Sequence, residues 1–403
     1  MTAKKVLMLG GAMQQIPAIQ HAKSLGLHVI TCDYLPENPG HKFADEYYNV
    51  STTDLDGVLA LAQKLRIDGI VAYASDPAAP TAAYVAEKLG LPGNPYESVK
   101  ILTQKDLFRA FLAENGFNTP KAKGYIKRED ALHDYERFKF PVMVKPVDSS
   151  GSKGVVKVFA PDELPSAIDE ALSYSRAGRF IIEEFIVKKG YQVSGDGFSV
   201  DGRLAFTSFG NELYASSGGT TRDYVALGEF WPSLLTDEQR QKVNNELQKL
   251  MTALKMRTCA YNIEVILDEN DEPYVIELGP RNGGSYIPQL IKYATGVDLI
   301  DYTIKAAIGE SCAGLDMAET KGFWSNYMIF STVSGKFKGL RFDEAFRRNN
   351  LLEIHCTADD GEDVHEYRNT SHSLGTILFK ADSLDEIMTI TENIGKYYHV
   401  EVY

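Results

Sequence analysis

The order of apolar and polar positions divides the chain into an alternating region, a strand-rich body and a β-rich end. In KKVLMLGGAMQQIPAIQHAKSLGLHVITCD, Val6–Leu9 is an unbroken apolar run, Gly10-Gly11 supplies a turn, and the spacing from Ile16 to Leu25 is helical. A second strand is predicted from Val29–Thr31 to near Asp33. The alternation continues with a predicted helix over Leu55–Leu65, a strand over Gly69–Tyr73 and a helix over Thr81–Leu89. Strands alternating with helices predict a parallel sheet with right-handed crossovers.

Residues 98–118 predict one helical stretch with Lys105 near its middle. After Pro120 the period changes. FPVMVKPVDSSGSKGVVKV reads as strand, glycine loop and strand, FIIEEFI as an apolar strand, and FSVDGRLAFTSFG as a hairpin turning at Asp201-Gly202. An amphipathic helix over 237–256 precedes a second hairpin, YNIEVILDENDEPYVIELG, with its turn at Asp268–Glu272. From Gly322 the runs WSNYMIFST, LLEIHC and SLGTILFKA are β-rich, followed by a helix around Leu384–Ile394 and a closing HVEV. The expected fold class is α/β and α+β. It comprises an α/β unit over 1–95, a mixed body over 96–321 with a smaller lobe at about 120–190, and a β-rich cap over 322–403.

Charge and cysteine usage narrow the function classes. A net charge of −13 repels phosphate polymers and anionic membranes, so no nucleic-acid or membrane partner is expected. Cys32, Cys259, Cys312 and Cys356 form no CxxC pair, which disfavours zinc and disulfides and fits a reducing, cytoplasmic setting. Val6–Leu9 is too short for a signal-peptide core. His355 beside Cys356 is a weak dyad signal, and GGAMQQ lacks the third glycine of a dinucleotide fingerprint despite Asp33 downstream.

The chemistry concentrates in the two hairpins. Lys145 ends an apolar strand and is followed by Ser149, Ser150, Gly151, Ser152 and Gly154, small residues whose backbone N–H groups can approach phosphate. In the second hairpin, Glu264 and Glu277 stand at equal distances from the turn, so they are expected opposite one another on one face. Two carboxylates about 4 Å apart would repel by roughly 4 kcal/mol at an effective dielectric of about 20. A hard cation between them, Mg²⁺ held jointly with nucleotide phosphates, resolves that repulsion. The alternative is an ion pair of one glutamate with Arg281, the other facing water. Arg281, four residues past Glu277, suits a transferring phosphoryl group.

Lys105, VMVKP with its Ser/Gly loop, EEFI and NIEVI…YVIELGPR together resemble the ATP-grasp superfamily, in its biotin carboxylase-like, carboxylate–amine ligase branch, over about 100–310. The resemblance implies a Rossmann-like preATP-grasp domain, a two-lobed ATP-grasp domain and a C-terminal cap. It makes Lys105 and Lys145 the nucleotide lysines, 149–154 the phosphate loop, and Glu183, Glu184, Phe185 and Ile186 the adenine hinge. Gln192 falls at the ribose position, where many members have glutamate. Glu264 and Glu277 become the magnesium ligands and Arg281 the arginine of the E-x-N-P-R segment. Gly279 departs from that segment's asparagine, leaving water, Asn282 or substrate to fill a coordination position. Arg222, in YASSGGTTRDYV, is a candidate for the substrate carboxylate. The implied cofactors are ATP and Mg²⁺, with Mn²⁺ as a substitute. The implied partners are a small carboxylic acid and an amine, joined in an ADP-forming C–N ligation, and a homodimer would fit the superfamily. A bicarbonate-activating carboxylase and a catalytically impaired ATP sensor or scaffold are the alternatives.

Overall fold

The computed structural model describes residues 3–215 and 225–403. The N-terminal region is a parallel four-stranded sheet in the order Glu46–Tyr48, His28–Cys32, Lys5–Leu9, Gly69–Val71. Helices Ile16–Ser24, Leu55–Leu65 and Ala79–Leu89 cover it. Asp54 caps the second of these by accepting from the Gly57 N–H. Helix Leu299–Ala307, far downstream, closes the same core: Ile300 and Ile304 pack with Val6 and Met8. The glycine turn after the first strand is occupied by protein. The Gln15 amide donates to the Leu9 and Tyr73 carbonyls, and the His41 ring abuts Gly11.

The expected single helix over 98–118 is two, Tyr96–Thr103 and Lys105–Glu114. Gln104 is extended between them (φ −122°, ψ 110°) because its side-chain oxygen accepts from Arg179 and the next N–H bonds the Val147 carbonyl. Lys105 therefore stands at a helix start, not mid-helix.

The smaller lobe is an antiparallel sheet in the order Ala122–Tyr125, Phe180–Glu184, Val142–Pro146, Val156–Val158, backed by helix Leu164–Tyr174. The main body is an eight-stranded antiparallel sheet. Its order is Pro273–Gly279, Cys259–Leu267, Gln192–Val200, Arg203–Tyr214, Ala226–Trp231, Phe323–Ile329, Gly375–Ala381, Leu351–Cys356.

That order corrects the expected boundary at 322. Strand Phe323–Ile329 hydrogen-bonds directly to Ala226–Trp231, with Gly228 opposite Tyr327, and Phe230 shares one core with Tyr327, Ile377 and Phe379. Without the last three strands, Ala226–Trp231 would present an unpaired edge. Only Gly335–Phe342, Asp363–Val364 and Tyr398–Val402 form a separate small sheet. Among the described residues, no helix is long and apolar enough to cross a membrane.

Candidate active site

A cleft of about 770 Å³ lies between the small lobe, the face of the eight-stranded sheet and the N-terminal loops. Lys145 enters it from the end of Val142–Pro146, where Pro146 stops an otherwise fully buried strand. Its ammonium pairs with Glu183 on the neighbouring strand, and Glu183 also accepts from Arg109 Nε at 2.9 Å. Burial pushes the Glu183 pKa up, but Arg109 and Lys145 outweigh it and bring it down to about 2. Glu183 thus anchors Lys145 by a charge pair. Beside it, Glu184 Oε1 accepts from the Lys139 N–H at 2.9 Å, and Lys157 Nζ lies 3.6 Å from the Phe185 ring centroid. Phe185 and Ile186 line the cleft.

Ser149, Ser150, Gly151 and Ser152 also line it. Left-handed backbone at Gly151 (φ 68°), Ser152 (φ 58°) and Gly154 (φ 70°) curls this loop, and Gly154 turns against Tyr174. Lys105 reaches across: its Nζ donates to the Ser149 carbonyl at 2.8 Å and lies 3.6 Å from Glu277 Oε1.

Glu264 and Glu277 are register partners on adjacent antiparallel strands, as their symmetric spacing about the turn predicts. A bulge follows at once, between Glu264 and Val265. It leaves Ile276 out of the register, and that carbonyl accepts from Arg109 Nη1 at 3.0 Å. Glu264 is half-buried by surface area but sits deep in the cleft. Desolvation, then the Glu212 and Glu277 charges, push it well above the usual carboxylate range against the pull of Lys105 and Lys145.

Residues 138–289 match the family of the ATP-grasp domain. The chain carries an ATP-grasp domain. An uncharacterized protein, y4rH, of Sinorhizobium fredii is 29% identical over 275 residues, 66% of this chain and 55% of its own length. The carbamoyl phosphate synthase large chain of Clostridium beijerinckii is 24% identical over 322 residues, 76% of this chain and 29% of its own. The chain therefore spans about half or less of these relatives. Among solved structures, L-amino acid ligase from Bacillus licheniformis superposes with a TM-score of 0.84 at 23% identity, covering 99% of both chains.

The ATP-grasp cleft gathers most of the expected residues, with three qualifications. Gln192 lines the cleft with only its Oε1 left to offer a sugar, because its Nε2 donates to Glu212 at 2.7 Å and to Glu264 at 3.0 Å. Asn282 is corrected as a metal ligand. It is fully buried outside the cleft lining, and its Oδ1 accepts from the Thr303 hydroxyl. Arg222 lies outside the described residues. His355 and Cys356 form no dyad: His355 Nε2 bonds Glu353 Oε2 at 2.6 Å and its ring stacks on Tyr286. All four cysteines are free.

Sequence reasoning missed four acids. Asp76 holds Arg281, with Nε–Oδ1 at 2.8 Å and Nη2–Oδ2 at 2.5 Å. Asp196 is fully buried and accepts from the Gly283 N–H; burial still pushes it up to about 7. Glu212 and Glu229 are each pushed up to about 8, by burial first, then by Glu229 and by Asp196 respectively. A signal existed. Gln192, Ser194 and Asp196 alternate along a strand buried on both faces, a polar period-two stripe that a plain core strand would not carry.

A magnesium ion bound with a nucleotide fits this donor set. Glu264 accepts from an amide and forms no ion pair among the described residues, so its charge lacks a partner. Carboxylate oxygens suit a hard dication. No group of three or more His, Cys, Asp or Glu able to hold a metal forms among the described residues, so phosphate and water would supply the remaining ligands.

Proposed function

We propose that the protein is an ATP- and Mg²⁺-dependent ligase that activates a carboxylate as an acylphosphate for attack by an amine, forming a C–N bond and releasing ADP and phosphate. The observation that carries this reading is the directly opposed Glu264–Glu277 pair in one cleft with Lys105 and Lys145. Glu264 and Glu277 would hold the metal, which when bound neutralises phosphate charge and aligns the transferring group. Lys145, oriented by Glu183, and Lys105, oriented by the Ser149 carbonyl, supply positive charge to the phosphates. Backbone N–H groups of Ser149–Ser152 close over them.

Arg281 presents its guanidinium to the anion formed when a carboxylate oxygen attacks the γ-phosphorus and ADP leaves. Asp76 fixes that guanidinium in orientation. Attack of an uncharged amine at the acyl carbon then expels phosphate. No protein nucleophile is required, in keeping with four cysteines raised above the ordinary thiol range by burial.

The test is Mg²⁺-dependent ADP release across a panel of carboxylic acids with and without amines. The reading requires acid-dependent turnover that is lost in Glu277→Gln. Turnover that depends on bicarbonate alone would instead favour a carboxylase, and unchanged turnover in Glu277→Gln would remove the metal assignment.

A further inference from the structure

A second like-charge pair lies on the same face of the sheet, beside the metal pair. Glu212 and Glu229 are register partners on strands Arg203–Tyr214 and Ala226–Trp231, and both line the cleft. They are 8% and 9% exposed. Glu212 is well satisfied: its Oε2 accepts from Gln192 Nε2 and from the Tyr214 hydroxyl, each at 2.7 Å. Glu229 is not, since its Oε2 is buried with no hydrogen-bond partner. The neighbouring charges that act on Glu229, Asp196 and Glu264, are both negative. A buried carboxylate oxygen that faces a cleft and has only acidic charges acting on it needs a cation delivered from that cleft.

We propose that Glu229, backed by Glu212, binds the ammonium group of the acid substrate, which makes that substrate an amino acid. An ammonium brings three N–H donors and needs one charged acceptor with neutral ones around it. Ser194 Oγ, buried on strand Gln192–Val200 two strands away, is one such neutral neighbour of Glu229. A second dication fits less well, because Gln192 and Tyr214 already occupy Glu212 Oε2 and no group of three or more acids able to hold a metal forms among the described residues. The placement also sets direction. Gln192 Nε2 bonds both Glu212 and Glu264, so the ammonium subsite adjoins the metal pair. Glu229 stands three strand spacings from Glu264, roughly 14 Å. The Glu229 and Glu264 side chains and a short amino acid bridge that distance, carrying the substrate carboxylate toward Glu264, Glu277 and Arg281. Held as an ammonium, the substrate's own nitrogen cannot attack its acylphosphate.

This inference rests on the carboxylate-activating reading of the cleft, and two readouts separate their failures. The first is the Tm of protein loaded with Mg²⁺ and a non-hydrolysable ATP analogue, on adding amino acids or the same acids lacking the amine. Amino acids should raise the wild-type Tm while their deaminated analogues do not, and Glu229→Gln should abolish the rise without altering the shift from nucleotide alone. The second is ADP release, where Glu229→Gln should raise KM for the amino acid by roughly 100-fold, the scale expected when a buried polar site loses its partner. The inference is overturned if no amino acid shifts the wild-type Tm, or if Glu229→Gln weakens both acids equally. Loss of Mg²⁺ or Mn²⁺ binding in that variant would also overturn it, by making Glu229 a metal ligand. A ligand-specific Tm shift without any ADP release would leave the subsite standing and remove the ligase reading.

Discussion

Asp76 grips Arg281 across 205 residues of sequence, with Nε–Oδ1 at 2.8 Å and Nη2–Oδ2 at 2.5 Å. The pair joins a loop of the N-terminal sheet to the end of strand Pro273–Gly279, and both side chains are mostly buried (17% and 10% exposed). Breaking such a pair leaves a charge uncompensated. Asp76→Ala is expected to cost roughly 2–3 kcal/mol, toward the low end for a buried pair because some solvent reaches it. Urea unfolding of variant and wild type measures the difference, and a loss under 0.5 kcal/mol, the scale of an ordinary surface change, would contradict the account.

The same contact explains what Gly279 is for. A Cβ built there would lie 3.0 Å from Asp76 Oδ1 and 3.4 Å from the Arg281 guanidinium. The asparagine of the family pattern would therefore push into the Asp76–Arg281 pair. Gly279→Asn should lower both stability and turnover, not add a metal contact. Combined with Asp76→Ala, which opens the space, its cost should shrink by about 1 kcal/mol or more, a non-additivity that a double-mutant cycle detects.

Glu264 predicts a trade between stability and function. Without metal, Glu264→Gln removes a poorly compensated charge opposite Glu277 and should stabilise the protein by roughly 1–2 kcal/mol. With nucleotide present, Mg²⁺ should raise the Tm of wild type but not of the variant. A variant that is destabilised without metal, or that keeps the Mg²⁺ response, would be inconsistent with a cation between these two residues.

How much of this was legible depends on distance along the chain. The Glu264–Glu277 register could be read because a tight turn converts spacing into geometry over fourteen residues. Lys145 before Pro146 was legible for a similar local reason. Asp76, Arg109 and Glu229 were not, because their partners come from other elements: Arg109 meets Glu183 from 74 residues away. The break at Gln104 was hidden too, since nothing local opposes a continuous helix and the Arg179 contact that holds Gln104 extended is tertiary. The boundary at 322 failed because strand runs give no sign of which edge they will join.

Glu183 carries the pH prediction. Its folded pKa, about 2, lies below the ordinary 4.5 because Arg109 and Lys145 outweigh burial. A depressed carboxylate pKa contributes stability that is present above about pH 4.5 and is lost as pH falls toward 2, on the order of 3 kcal/mol in all. Glu183→Gln should therefore differ most from wild type above pH 5, and the gap should narrow steadily below pH 4. A gap independent of pH would show that the charge of Glu183 is not what holds Lys145.

The central claim is that a carboxylate oxygen of the substrate is phosphorylated. Its most direct test is to run the reaction with oxygen-18 in the substrate carboxylate and examine the phosphate released. The account predicts one labelled oxygen per phosphate, transferred when the amine displaces it from the acyl carbon. Phosphate carrying no excess label, alongside normal ADP release, would contradict it.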